Sequence, residues 1–89
     1  MSYIEQIFTS IHECLDNIDY INAISYIEDI YNYIDKSNDI EELKYIDKLA
    51  RKYAYATVPI TAIYTEQVGY IIHALKNISI LIRNKIKVI

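Results

Sequence analysis

The sequence contains one glycine, one proline and one cysteine, and no tryptophan. Each scarcity excludes something. Cys14 has no second cysteine in the chain to pair with, so disulfide stapling is ruled out, and a lone cysteine within a helical pattern reads as a buried, inert thiol. So few turn-formers argue against an all-β fold built on many tight turns. Gly69 alone cannot make a glycine-rich phosphate loop. Long apolar runs are missing too: the stretch from Val68 to Ile82 is broken by His73, Lys76 and Asn77, short of the roughly 20 apolar residues that span a bilayer. The start, Met1-Ser2-Tyr3-Ile4-Glu5, lacks the basic region and apolar run of a secretory signal. The expectation is a cytoplasmic protein with no membrane association.

Isoleucine and tyrosine take the space, with 20 and 10 of the 89 residues. Both favour strands by propensity, so periodicity has to decide. Ser2 and Glu5 form a capping-box signal, and Ile4, Ile7, Phe8, Ile11, Leu15 and Ile18 follow as one helical stripe. Asn17 or Asp19 can cap a second helix, in which Tyr20, Ala23, Ile24, Ile27, Ile30, Tyr31 and Ile34 keep helical spacing. Lys36-Ser37-Asn38-Asp39 is the clearest break. Asn38 with Glu41, or Asp39 with Glu42, starts a third helix, with Leu43, Ile46, Ala50, Tyr53 and Ala54 on its buried face. The residue before proline resists the helical region, so this helix is expected to end near Ala56. Pro59 then opens the first turn of a fourth helix of about 27 residues, roughly 40 Å long. The expected fold is all-α, a small antiparallel four-helix bundle with helices at 3–16, 19–36, 39–56 and 59–86, forming a single domain over residues 1–89. A domain of this size buries only about 60–65% of its unfolded surface, so its core is thin.

The net charge of −3 conceals a division: eleven acids and two bases before Lys48, one acid and seven bases from it onward. Part of this is expected to be internal, with Arg83, Lys85 and Lys87 facing Asp39, Glu41 and Glu42 across the last hairpin. Lys48, Arg51 and Lys52 would complement the macrodipole at the end of helix three, and Asp47 with Arg51 suits an i,i+4 pair. The alternative is a basic face of Lys48, Arg51, Lys52 and Tyr55 that contacts nucleic acid, against which stands an overall pI near 5.2.

Groups for catalysis do not converge. His12 and Cys14, two apart on a helix, point different ways. His73 falls on an outward side, and no Glu-x-x-His pair is present. No cofactor or metal is expected, and an enzyme is not expected. Ile72 and Ile80 lie off the main stripe of helix four, while Tyr26 and Tyr33 sit beside the stripe of helix two, where neighbouring helices would cover them. The leading expectation is a non-enzymatic interaction module that docks on a larger protein or self-associates, through Val68, Ile72, His73, Lys76 and Ile80.

Overall fold

The computed structural model describes residues 2–60 and 66–89, with the side chains of 55–60 outside that description. Its four helices are α1 (Tyr3–Asp16), α2 (Tyr20–Lys36), α3 (Ile40–Ile60) and α4 (Glu66–Val88), and no strand occurs among the described residues. The all-α four-helix bundle is therefore observed, and period prevails over the strand propensity of isoleucine and tyrosine.

Each start has a chemical cause. The Ser2 hydroxyl accepts from the Glu5 amide at 3.2 Å, which is one half of the capping box, and Tyr45 of α3 lies close enough to Glu5 for the carboxylate to raise its pKa. Asp19 caps α2 by accepting from the Asn22 amide at 3.3 Å. Asp39 caps α3, accepting from the amides of Glu41 at 3.1 Å and Glu42 at 3.3 Å. The Glu42 carboxylate is then free to clamp the α2–α3 connection, taking the Tyr33 hydroxyl at 2.8 Å and the Ser37 hydroxyl at 2.9 Å.

Successive helices run antiparallel, as the sequence predicts, but the helices that meet across the two hairpins run parallel. Along α1 and α3, Glu5 meets Tyr45 and Thr9 meets Tyr53, an ascending register. Along α2 and α4, Tyr31 donates to the Ala74 carbonyl at 3.2 Å and Lys85 donates to the Ile34 and Asp35 carbonyls, the latter at 2.8 Å. The molecule is thus two helical hairpins, α1–α2 and α3–α4, laid side by side, with α2 and α3 on a diagonal. Phe8, Ile11, Ile27, Ile30, Leu43, Ile46, Ile71, Leu75 and Ile78 are fully buried where the four stripes converge. Burial of each stabilises the fold by about 1.5–3 kcal/mol.

Three expectations are corrected. Helix three does not stop near Ala56: α3 continues to Ile60 with Pro59 as its penultimate residue, and α4 begins at Glu66. A proline beyond the first turn loses its amide hydrogen bond and crowds the carbonyl four residues back, and α3 ends one residue after it. Helix four is accordingly 23 residues long, and Gly69 lies in its first turn, where interrupting a mid-helix ladder is not at issue. The Ile63 and Tyr64 portion of the predicted stripe lies outside the described residues. Ile18 does not extend the α1 stripe either: the helix has ended at Asp16, and Ile18 is turned outward.

Candidate functional site

Two surfaces emerge. The first is at the α1–α2 turn. The Asp19 amide donates to the Cys14 carbonyl at 2.7 Å and the Ile18 amide to the Leu15 carbonyl at 3.2 Å. This pair of bonds is a Schellman ending, which places the residue after the C-cap in the left-handed region. Here that residue is isoleucine, at φ 58°, a conformation that costs a β-branched residue about 1–2 kcal/mol. Burial does not repay the strain, because Ile18 is 72% exposed. Ile21, in the next turn of chain, is 83% exposed. Ile24 and Tyr70 continue the apolar character into an open groove between α2 and α4, bordered by Glu66 and Gln67. Sequence reasoning missed Ile18 by assigning it to a stripe and did not weigh Ile21. The available signal was an isoleucine where a helix C-terminus calls for Gly or Asn.

The second surface is the outer face of the α3–α4 hairpin. Asp47 is buried between the two helices, accepts from the Ser79 hydroxyl, and holds Arg51 of α3 at 3.4 Å and Arg83 of α4 at 3.8 Å. Those two arginines mark the seam. Helical spacing from Arg51 puts Lys44 and Lys48 on the same side, with Lys52 beside them. Spacing from Arg83 brings up Lys76 and Lys87, with Ile72 and Ile80 between. All five lysines are exposed. Two candidate surfaces that the sequence kept apart, the basic side of helix three and the outer side of helix four, therefore form one face.

The placement of individual residues follows. Val68 is fully buried and is not part of any surface: seven residues before Leu75 and fourteen before Ile82, it lies on their side of the helix. Ile72 is half-buried, His73 and Lys76 are exposed, and Ile80 is 55% exposed with Leu81 exposed beside it. The Tyr55 side chain lies outside the described residues. Tyr26 and Tyr33 are packed against the core, as expected, and Tyr33 also meets Tyr3 at 6.1 Å between ring centres.

The internal explanations of the basic charge hold only in part: Asp47 takes Arg51 and Arg83, and Lys85 and Lys87 lie in the last turn of α4, but no ion pair to Asp39, Glu41 or Glu42 occurs among the described residues. Both ion pairs among the described residues go to Asp47. Asp39 and Glu42 are occupied by capping and hydroxyl bonds, and Lys85 binds carbonyls at the end of α2. Because α3 runs eight residues past Lys52, its basic residues sit mid-helix, beyond reach of the terminal partial charge.

Two further polar side chains, Cys14 and His12, lie on α1. Burial first, then the charges of Asp19 and Glu13, raise the Cys14 pKa, so the nucleophilic thiolate is disfavoured. His12 packs edge-on against Tyr53, and its Nδ1 is buried without a hydrogen-bond partner. No group of three His, Cys, Asp or Glu residues suited to a metal is found among the described residues, nor a helix long and apolar enough to cross a membrane. No protein-family model matches the chain, and no curated protein or solved structure is significantly similar to it.

Proposed function

We propose that this chain is a non-enzymatic interaction module that docks on another protein through the α1–α2 turn and the adjoining edge of α2 and α4. The observation that carries the reading is Ile18. A glycine there would make the same Schellman ending without strain, yet the position holds a large apolar side chain 72% exposed to water, and Ile21 beside it is 83% exposed. Single exposed apolar residues are ordinary. An exposed one held in an unfavourable backbone conformation is a cost that local folding does not explain, and such strain clusters at binding sites.

The partner side is an apolar pocket or helix face able to receive two isoleucines, with Ile24 and Tyr70 at the margin. The test is affinity purification from host cells with wild-type protein and with Ile18→Gly/Ile21→Ser, alongside sedimentation of both. The expected result is a protein captured, or a dimer formed, by wild type alone, while the variant keeps its helical spectrum. Equal capture by both proteins, or a monomer that captures no partner, sinks the reading.

A further inference from the structure

We infer that the outer face of the α3–α4 hairpin binds the phosphate backbone of a nucleic acid. This surface is separate from the Ile18 surface and does not depend on it. Lys44, Lys48 and Lys52 along α3 and Lys76 and Lys87 along α4 are exposed, and none of the five is in an ion pair among the described residues. Arg51 and Arg83 add a sixth and a seventh cation at the seam and share a single buried carboxylate, Asp47. That carboxylate fixes the two guanidiniums; with the exposed Glu41, which helical spacing puts on the same side of α3 as Lys48 and Lys52, it sets two acids against seven bases on the face.

The type of cation identifies the occupant. Lysine is depleted at the centres of protein–protein interfaces, whereas a lysine ammonium is a point charge suited to phosphate. The exposed apolar residues at or beside the face are few beside its seven cations: Ile80, its neighbour Leu81 and Tyr45 are exposed, and Ile72 is half-buried. Successive turns of an α-helix place lysines about 6 Å apart, and neighbouring helix axes lie about 8–10 Å apart. The result is two rows of charge that can follow a polyanion. The acidic net charge does not oppose this. Seven of the twelve acids belong to the α1–α2 hairpin, and exposed charges further off than the screening length of roughly 8 Å at physiological salt are largely screened.

The test is fluorescence anisotropy with labelled single-stranded RNA and duplex DNA of mixed sequence, and with poly-glutamate as a polyanion without phosphate. Five lysine contacts predict an affinity that falls about 500-fold on duplex DNA and about 130-fold on single-stranded RNA between roughly 50 and 200 mM salt. Lys48→Gln and Lys76→Gln each lower the logarithmic salt slope by about one unit, independent of sequence. Their circular dichroism spectra match wild type, since both lysines are exposed. The relative strength of the RNA and DNA arms assigns the strand type. Absence of binding to both nucleic acids at low salt overturns the inference. So does an unchanged salt slope in both variants, and so does equal binding to poly-glutamate, which makes the face a site for acidic protein.

Discussion

Ile18 and Asp47 are each legible in the sequence only as ordinary residues, and each becomes unusual through its backbone or its neighbours. Ile18 fits the α1 stripe by spacing, but the helix has ended two residues earlier and the chain needs a left-handed residue there. Ile18→Gly removes that strain without uncovering buried surface, so it is expected to stabilise the protein by about 1 kcal/mol in urea unfolding. A loss of stability would mean that the side chain makes an intramolecular contact. Asp47 reads as half of a surface i,i+4 pair, which it does form, at 3.4 Å to Arg51. The sequence does not reveal that it is buried, because Ser79 and Arg83 reach it from a helix 32 residues further on. Asp47→Ala leaves the Ser79 hydroxyl unpaired and two guanidiniums facing each other. The expected cost is about 2 kcal/mol, below the ~3–5 of a fully buried pair because both arginines are half exposed. Asp47→Asn, which still accepts from Ser79, is expected to lose less.

At the scale of the helices, the stripes and starts were legible and the α3–α4 boundary was not. Amphipathic spacing locates α1 and α2 because each buries one face, and Ser2, Asp19 and Asp39 announce the starts through side-chain acceptors that the first amides require. Val58-Pro59 is weaker evidence, since a proline in a last turn loses its amide hydrogen bond and crowds one carbonyl, yet α3 ends only after it. That one boundary moved the start of α4 and put the bases of α3 at a helix end, whereas Val68 belongs to the buried stripe wherever the helix starts, three residues before Ile71 and seven before Leu75. The α2–α3 connection offers a test of how elements are joined. Tyr33 of α2 donates to Glu42 of α3 at 2.8 Å. This bond first, then burial and the charges of Glu42 and Asp39, raise the tyrosine above its ordinary 10.0. The folded state therefore holds the proton more tightly than the unfolded chain does. The contribution is fully present below pH 10 and is lost as pH rises through the folded value. Tyr33→Phe is expected to be less stable than wild type at neutral pH, and thermal melts should converge above pH 10. A difference that persists unchanged into alkali would assign the effect to packing against Tyr3 instead.

Over the whole molecule, the division of charge along the sequence becomes a division between hairpins. The α1–α2 hairpin carries most of the acids, and the α3–α4 hairpin carries a face of lysines without ion pairs among the described residues. The excess was legible in the sequence. How little of it is compensated was not, because that depends on Asp39 and Glu42 being used locally as caps and hydroxyl acceptors, which leaves Asp47 as the acid in both ion pairs among the described residues. Two surfaces thus carry features that folding alone does not require: a strained, exposed isoleucine and a cluster of like charges. Proteins commonly give up stability at sites of function, and the two costs differ in kind. The strain at Ile18 is steric and indifferent to salt. The repulsion among the lysines is Coulombic, so salt screens it. Both Ile18→Gly and Lys48→Gln/Lys76→Gln are accordingly expected to raise the melting temperature at low salt. Increasing ionic strength should shrink the gain from the lysine substitutions and leave that from Ile18→Gly intact. Because the sites share no partner, the combined variant should show additive effects to within about 0.5 kcal/mol. The decisive measurement is a set of thermal melts of the four proteins across a salt series. A lysine variant whose gain is independent of salt would show that the cluster is not under electrostatic tension, and would remove the energetic reason for reading that face as a site awaiting an anion.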